Sequence, residues 1–269
     1  MRIIVCMKQA PDHEAPRESF EINYELKRVE PRGIPPVISL FDENALEAAL
    51  RIKDLRDDVK IILVSIGKRI SNAVMLRALA AGADELIKME DERFESHLLN
   101  SFATARIMAE TIKQIGNYDL ILAGRQASDW NSGYMGIALA KELNIPCVTF
   151  AQKVDVQSND LIVNRAVDNG YEIIKSKLPA VVMVTNELGE LRYPAMKERR
   201  EAKNKPVHSL SGKEMPLNLI SNGKLILKQL YYPELKTTDC KIIDGDSPMQ
   251  AGVNLARTLL DNNILQARR

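Results

Sequence analysis

A polar loop bounded by glycines follows an apolar segment near the middle of the chain. The stretch LILAGRQASDWNSGYMG runs from Leu120 to Gly136. Gly124 would let the backbone approach a ligand, and Arg125 can neutralise a phosphate. Gly133 and Gly136 would admit an anion to the N-terminus of the next helix, where free N–H groups favour negative charge. A loop that only caps a helix has the same composition, so both interpretations remain open. The hydrogen-bonding side chains in between are Gln126, Ser128, Asp129, Asn131 and Ser132.

Other chemical signatures are absent from the sequence. No G-x-G-x-x-G follows the first apolar segment and no G-x-x-x-x-G-K-[ST] occurs, which excludes the usual dinucleotide fingerprint and the Walker loop. The histidines, His13, His97 and His208, are isolated, and no Cys or His pair has metal-ligand spacing. No nucleophile with a partnered base is recognisable. We therefore predict no metal site and no catalytic residues.

The composition is that of an ordinary globular protein. The 269 residues are 45% hydrophobic and 27% charged, with a formal net charge of +1. Nucleic-acid binders usually gather a basic excess on one face, which this balance does not indicate. The opening apolar run is too short for a signal peptide or a membrane span. Three scattered cysteines, Cys6, Cys147 and Cys240, suit reduced thiols. We expect a cytoplasmic chain without nucleic acid or membrane insertion.

Apolar segments alternate with helical patterns around the loop. Strands are predicted at residues 2–7, 59–65, 85–89, 118–123 and 147–151. Helices are predicted at residues 71–81, 97–115 and 136–143, the first ended by Gly82. Another helix is predicted to open at Asp42, with that carboxylate as its N-cap. Continuous apolar strands between helices imply a parallel sheet covered on both faces, which is an α/β fold.

The pattern changes after about residue 152. Alternating residues around the turns SND and DNG predict β-hairpins that extend the sheet as a β-ribbon, and LPAVVMVT predicts one more strand. Residues 12–39 show no sustained period, and residues 186–206 are polar and cationic. From residue 207 the chain has a helix pattern near Met249 to Leu260 but no core pattern of its own. We expect this tail to pack on something else.

The segment from Val163 to Pro194 combines the ribbon with two short motifs, LPAVV and RYP. Its charged and glycine positions, Arg165, Asp168, Gly170 and Glu172, are spaced as in a known signature. The segment closely resembles the signature region of the electron transfer flavoprotein beta subunits. VCMKQAPD, FDENALEAALRIK, ALAAGADELI and LILAGRQASD resemble further segments of that family. The resemblance runs from residue 1 to about residue 207 and fades in the tail.

The resemblance implies a Rossmann-like parallel sheet of the adenine nucleotide alpha-hydrolase-like type, with a β-ribbon extension and a C-terminal arm. It implies the beta subunit of a heterodimer whose alpha subunit holds most of a redox-active FAD. The complex would shuttle electrons through that FAD between a flavin dehydrogenase of the acyl-CoA dehydrogenase type and an acceptor. The beta subunit itself would bury AMP, or a second FAD in members that bifurcate electrons.

The resemblance also implies a nucleotide site. A small residue at Cys6 would leave room for adenine, Phe41 could pack on a ring, and Arg125 with the loop amides could hold the phosphate. His13 and Phe41 would lie next to the flavin. The residues carried over by position are Cys6, Ser39, Leu40, Phe41, Asp42, Ile66, Gly124, Arg125, Gln126, Ala127, Ser128, Asp129, Trp130, Asn131, Ser132, Gly133, Tyr134 and Met135.

The end of the loop departs from the family pattern. Relatives often carry Thr or Cys, then Asn or Ala, then Gln before the last glycine, where this chain has Ser132 to Met135. Trp130 and Tyr134 could stack on a ligand larger than AMP, and aromatic side chains at these positions could equally serve as core or loop anchors. The identity of the nucleotide, AMP or a second FAD, therefore stays open.

The resemblance places a partner-docking loop after the RYP motif. An apolar anchor beside basic residues would dock the dehydrogenase, and by spacing the anchor falls on Met196. The remaining docking residues would be Arg192, Tyr193 and Lys197. A buried apolar anchor with charged residues around it suits a specific interface. The cationic run reads RREAKNK here, where the family usually has IMKAKKK, so the partner could differ from the standard dehydrogenases.

These expectations divide the chain into three parts. Residues 1–185 form the Rossmann-like nucleotide-binding domain with its β-ribbon, residues 186–206 the docking loop, and residues 207–269 an arm that packs on the alpha subunit. A stand-alone adenine-nucleotide-binding module is the alternative from another functional class. The sequence does not support this alternative, because it has no loop arranged to bind a triphosphate together with a nucleophile.

Overall fold

The chain consists of two compact units, Met1–Leu230 and Tyr231–Arg269. The computed structural model describes residues 1–94, 100–158, 160–215, 227–233 and 240–264. The strands of the first unit are β1 (Arg2–Cys6), β2 (Gln9–Ala10), β3 (Phe20–Asn23), β4 (Arg28–Pro31), β5 (Val37–Ile38), β6 (Lys60–Gly67), β7 (Glu85–Glu90), β8 (Leu120–Gly124), β9 (Cys147–Gln157), β10 (Asp160–Val167), β11 (Gly170–Lys177), β12 (Ala180–Val184) and β13 (Val207–Ser211). Its helices are α1 (Leu40–Asp54), α2 (Asn72–Ala81), α3 (Ser101–Ile115), α4 (Met135–Leu143) and α5 (Met196–Glu201).

A large, mostly parallel sheet forms the centre of the first unit. Within the described residues, nine strands follow the order β11-β10-β9-β12-β8-β1-β6-β7-β13. From β9 to β13 in this order neighbouring strands pair in parallel. The strands β10 and β11 add an antiparallel ribbon beside β9. The predicted α/β class, the parallel sheet and the β-ribbon are confirmed.

Helices cover both faces of this sheet. Along β1, Ile3 and Val5 face one core cluster, whereas Ile4 and Cys6 face the other, as the two-residue period of a strand requires. The first cluster receives α1 and α2, and the second receives α3 and α4. Because both faces are covered, the central strands are apolar at consecutive positions. Burial of each large aliphatic side chain contributes roughly 1.5–3 kcal/mol.

The ends of two helices follow their local sequence. Gly82 ends α2 with a φ of 134°, and a Cβ at this position would lie 2.6 Å from Leu50 Cδ2. Glycine is therefore required there both by the backbone conformation and by close packing. At the start of α3, Asn100 Oδ1 accepts a hydrogen bond from Phe102 N at 2.9 Å. The predicted start of this helix at His97 lies outside the described residues.

The N-cap predicted at Asp42 is wrong. Ser39 occupies the cap position and α1 begins at Leu40, so Asp42 lies inside the first turn. The Asp42 carboxylate does not cap its own helix but accepts hydrogen bonds from Lys8 N at 2.8 Å and Gly124 N at 3.1 Å. The sequence correctly indicated that an acidic residue lies near the start of this helix. The partners, however, come from two other strand ends, which no local pattern reveals.

Residues 12–39 contain more regular structure than their composition predicts. The strands β3 and β4 form an antiparallel hairpin, and β2 pairs with β5. The turn of the hairpin is Tyr24 to Lys27, which has no glycine or proline, and Lys27 adopts a positive φ of 47°. Without the usual turn residues, the hairpin has no clear sequence signal.

The residues after 207 contribute to both compact units. The strand β13 begins at Val207 and pairs with β7 at the edge of the central sheet. The second compact unit begins at Tyr231. It contains the helix α6 (Pro248–Asp261), whose N-cap Ser247 accepts a hydrogen bond from Gln250 N at 3.2 Å. Within the described part of α6, every side chain is at least partly exposed. This helix matches the one predicted near residues 249–260.

Candidate functional site

A cavity opens at the carboxyl edge of the sheet, where β1 and β8 lie side by side. From β1 the chain continues through α1 to β6, whereas from β8 it continues through α4 to β9 on the opposite side. Connections that leave neighbouring parallel strands in opposite directions create a crevice for ligands. The cavity measures about 780 Å³, including its open mouth.

The structure brings most of the predicted nucleotide-site residues to this cavity. Those that line it are Cys6, Asp42, Ile66, Gly124, Arg125, Gln126, Ala127, Trp130, Ser132, Gly133, Tyr134 and Met135. The residues predicted for the site that do not belong to the lining are Ser39, Leu40, Phe41, Ser128, Asp129 and Asn131. His13 is exposed in the loop after β2 and is likewise outside the lining. The cavity is therefore formed by residues that are far apart in sequence.

Several residues of the loop lie outside the cavity lining and support it through hydrogen bonds. The buried Ser39 Oγ accepts a hydrogen bond from Ser128 N at 3.2 Å. Asn131 N donates to Ala127 O at 2.9 Å, and Asn131 Oδ1 accepts from Gln126 Nε2 at 3.0 Å. These bonds hold the loop against α1 and give it a defined shape. Ser128 Oγ is buried and has no hydrogen-bond partner in the described part of the chain.

Gly124 is the point of closest approach between β8 and α1. A Cβ on Gly124 would lie 2.5 Å from Asp42 Oδ1 and 2.7 Å from the backbone carbon of Phe41. The space that a side chain on Gly124 would occupy is thus filled by α1. The close approach of a ligand to the Gly124 backbone, which the sequence suggested, stays a prediction. Gly136 has a similar role, because its Cβ would lie 2.7 Å from Met183 Cγ. Both glycines allow helices to pack closely against strand ends.

A buried carboxylate and an ion pair set the charge at one end of the cavity. Burial raises the pKa of Asp42 to about 7, although hydrogen bonds from Lys8 N and Gly124 N oppose the shift. Lys8 Nζ lies 2.7 Å from Asp129 Oδ2, which pairs the nearby cation with the loop. Burial, with a smaller contribution from Asp42, also raises the pKa of the Cys6 thiol. Cys6 therefore contributes a small neutral surface to the wall.

Two helix N-termini meet the cavity from its other side. Ser101 and Thr104 of α3 line it, as do Tyr134, Met135 and Gly136 at the start of α4. The first turn of α4 carries no acidic residue. The N–H groups of a first helical turn lack partners within the helix and attract anions. This end of the cavity is consequently suited to a phosphate, whereas Cys6 and its apolar neighbours suit a base.

Arg125 lies between two aromatic rings. Its guanidinium carbon is 5.5 Å from the ring centroid of Phe41 and 5.5 Å from that of Phe150. Cation–π contacts of this type hold the guanidinium in place while leaving its N–H groups free to bind an anion. Phe41 packs on Arg125 and lies outside the cavity lining, and its predicted packing on a ligand ring stays a prediction.

Six lining residues were not predicted. They are Met7, Lys8, Ser101, Thr104, Met108 and Met183. Met7 and Lys8 follow β1 directly, so the position of the strand end could have revealed them. The three residues of α3 carry no local signal, because the packing of α3 beside α4 brings them to the cavity.

The predicted docking segment is fixed at both ends by cations. Arg192 donates hydrogen bonds to Glu47 Oε1 at 3.0 Å and to Asp54 Oδ2 at 2.7 Å. Hydrogen bonds to Asp54 and Glu47 raise the pKa of Arg192. At the other end, Lys205 Nζ donates to Leu79 O at 2.8 Å and Ala83 O at 2.6 Å. These two cations serve the fold, so Arg192 is not available as a free docking charge.

Several residues between these anchors are exposed, whereas Pro194 and Ala202 are buried. Met196 is 64% exposed at the start of α5, and Tyr193 is 79% exposed. The Arg199 guanidinium carbon lies 4.4 Å from the Tyr193 ring centroid. Lys197 forms a long ion pair with Glu201, at 3.8 Å. The segment presents an exposed apolar side chain, an exposed aromatic ring and positive charges.

Two further observations concern the described residues only. None of the described helices has both the length and the apolar character needed to cross a bilayer. No group of three or more His, Cys, Asp or Glu side chains within the described ranges is placed to hold a metal ion.

Sequence comparisons relate the chain to proteins of known classes. Residues 29–214 match the model of the electron transfer flavoprotein domain. The chain is 36% identical over 205 residues, 76% of each protein, to an electron transfer flavoprotein subunit beta of Thermoanaerobacterium thermosaccharolyticum. It is 33% identical over 207 residues, 77% of each, to the caffeyl-CoA reductase-Etf complex subunit CarD of Acetobacterium woodii. It is 32% identical over 216 residues, 78% of each, to an electron transfer flavoprotein subunit beta of Megasphaera elsdenii.

Proposed function

The chain belongs to the electron transfer flavoprotein beta subunit family, and from this premise we propose that it binds an adenine nucleotide within an electron-carrying heterodimer. The nucleotide is AMP, held in the cavity between β1 and β8. The partner is an alpha subunit that holds most of an FAD. The complex accepts electrons from a flavin dehydrogenase and delivers them to an acceptor.

The observation that carries this proposal is the mixed chemistry of the cavity lining. The lining contains small or apolar residues such as Cys6 and Ile66, and it also contains Arg125 and the first turn of α4. A purine needs an apolar slot, and a phosphate needs cations and N–H donors.

In this proposal the chain positions the bound nucleotide and carries out no reaction with its own residues. The FAD of the complex supplies the electron-transfer chemistry when it is bound. Arg125 and the first turn of α4 bind the phosphate of the AMP. Asp42 holds the ends of β1 and β8 together through Lys8 N and Gly124 N, and so keeps the cavity open in the absence of ligand. A filled cavity stabilises the folded state by mass action.

The C-terminal unit supports the proposed alpha-subunit contact. Met249 is 80% exposed, Leu255 and Leu260 are each 46% exposed, and Val253 is 40% exposed on α6. Within the part of the chain that the structure describes, no side chain of α6 is buried, and large exposed apolar patches often mark protein interfaces. We propose that α6 packs on the alpha subunit. The exposed segment around Met196 is the proposed contact for the dehydrogenase.

Purification of the complex tests this function. The full-length chain is produced together with a candidate alpha subunit, and the size and flavin absorbance of the purified complex are measured. Nucleotides released by denaturation are then quantified by chromatography. We expect a heterodimer with one FAD and one AMP. A chain that purifies as a monomer without flavin, although the alpha subunit is present and folded, would contradict the proposal.

A second FAD in the cavity is the other candidate. Two observations favour it: one relative is named as a subunit of a caffeyl-CoA reductase-Etf complex, and the cavity mouth carries exposed aromatic rings. Trp130 is 41% exposed and Tyr134 is 39% exposed, so both could stack on a larger ligand. In that case the complex would bifurcate electrons. The same chromatography would then show two FAD and no AMP.

A further inference from the structure

Two contacts join the N-terminus of α3 to the loop that precedes α4. Ser101 Oγ lies 2.9 Å from Ser132 Oγ, so one hydroxyl donates to the other. The rings of Phe102 and Tyr134 have centroids 4.5 Å apart and are inclined by 46°. We call these four residues the seam. The two pairs connect neighbouring positions on the same two segments and therefore close the gap between them.

The seam is part of the cavity wall. Ser101, Ser132 and Tyr134 line the cavity, and Phe102 packs against Tyr134 from outside the lining. Phe102 is 47% exposed and Tyr134 is 39% exposed, so the seam also faces solvent. A wall made of one hydroxyl pair and one exposed ring pair can be opened. Each such contact shifts an equilibrium by no more than a few-fold to about tenfold.

We propose that the seam sets the length of the ligand and selects a nucleoside monophosphate over a longer nucleotide. This inference rests on the proposed function, in which the phosphate binds at the first turn of α4. Tyr134 is the N-cap of α4 and Ser132 lies two residues earlier, so a phosphate there is next to the seam. In this proposal a group attached beyond that phosphate extends toward the seam and meets the closed wall. A diphosphate or dinucleotide has to break the seam contacts to bind, and a monophosphate does not.

Binding measurements with variants of the seam test this inference. The full-length chain, in the complex in which it purifies, is freed of nucleotide and titrated calorimetrically with AMP, ADP and FAD separately. The wild type is expected to bind AMP at least tenfold more tightly than ADP or FAD. Phe102→Ala and Ser101→Ala should each reduce this preference at least threefold, and the double variant should reduce it most. They do so by improving binding of the longer ligands, because the wall then opens more easily.

A matched control separates this effect from general damage. Tyr24→Ala removes another exposed aromatic ring, 64% exposed and remote in sequence from the seam, and should leave the preference unchanged. Thermal unfolding of each variant verifies that it folds. If the variants keep the wild-type preference, or if the wild type binds FAD as tightly as AMP, the seam does not set ligand length. If the wild type binds neither AMP, ADP nor FAD, both the role of the seam and the proposed nucleotide site are wrong. This outcome differs from the two above, which contradict only the role of the seam.

Discussion

The cavity and the docking segment are organised in opposite ways. Around the cavity, neighbouring atoms lie so close to Gly124 and Gly136 that a Cβ on either glycine would clash with them. The Asp42 carboxylate accepts hydrogen bonds from two backbone N–H groups at other strand ends. In the segment from Arg192 to Lys205, the ends are fixed by charged hydrogen bonds and the middle is exposed. A pre-formed site lowers the entropy cost of binding a small ligand, whereas an anchored but exposed segment can adapt to a protein.

The comparison predicts that substitutions in the two regions have different consequences. Changes in the cavity wall should reduce folding stability and nucleotide binding together. Changes at the ends of the docking segment should reduce stability without affecting the nucleotide. Changes in its exposed middle should alter only the reaction with the partner.

Gly124→Ala should have the largest effect. Its Cβ would overlap the Phe41 backbone, which cannot rotate away, and the Asp42 carboxylate, which is held by hydrogen bonds from Lys8 N and Gly124 N. We expect a loss of about 3 kcal/mol in the free energy of unfolding, measured by urea denaturation, together with loss of bound nucleotide. Gly136→Ala meets the flexible Met183 side chain and should cost less, about 1–2 kcal/mol. Equal losses from both substitutions would contradict this packing.

Arg192→Ala tests the anchor of the docking segment. Removal of the guanidinium leaves Glu47, only 7% exposed, with the weaker contact from Arg51 at 3.2 Å. We expect a loss of about 2 kcal/mol in unfolding free energy, with nucleotide content unchanged. Arg200→Ala, which removes an exposed cation from the same segment, serves as the control and should change stability by less than about 0.5 kcal/mol. A neutral Arg192→Ala would show that the segment is held by other contacts.

Asp42→Asn tests the electrostatics of the cavity. Burial raises the pKa of Asp42 to about 7 in the folded state, above the value of roughly 4 in an unfolded chain. Between these values the folded state binds the proton more tightly, so stability decreases as pH rises from about 4 to about 7. In the nucleotide-free chain, the wild type should lose on the order of 3 kcal/mol more than Asp42→Asn across this window. Parallel stability curves for the two proteins would exclude the raised pKa.

Met196→Ala should have the smallest effect on the fold. The side chain is 64% exposed, so stability should change by less than about 0.5 kcal/mol. Electron transfer from the partner dehydrogenase, followed by flavin absorbance, should slow about fivefold or more because an apolar anchor is lost. Leu55→Ala, at an 81% exposed apolar residue after α1, is the control and should transfer electrons at the wild-type rate. A wild-type rate for Met196→Ala would remove it as the anchor.

Local patterns predicted the framework well. The apolar strands, the stop of α2 at Gly82 and the hairpins around SND and DNG all depend on short-range signals, and the structure contains them. The hairpin of β3 and β4 was missed because its turn lacks glycine and proline. The pairing of β13 with β7 was missed because an exposed edge strand has no apolar period.

The site was predictable only where a residue lies at a strand end or in the loop itself. Ser101 and Thr104 reach the cavity through the packing of α3, and the loop residues Ser128 and Asp129 turned out to support the wall and not to form it. Asp42 was recognised as important but for a different reason, because its hydrogen-bond partners are far away in sequence. Contacts between distant segments, and not local composition, decided these cases.

The location of the nucleotide tests the central claim most directly. The nucleotide-free complex is irradiated with 8-azido-AMP, with and without excess AMP, and the labelled peptides are identified by mass spectrometry. We predict labelling, suppressed by AMP, in peptides that contain Cys6, Ile66 or residues 124–136. Labelling confined to the ribbon, to α6 or to the alpha subunit would contradict a nucleotide between β1 and β8.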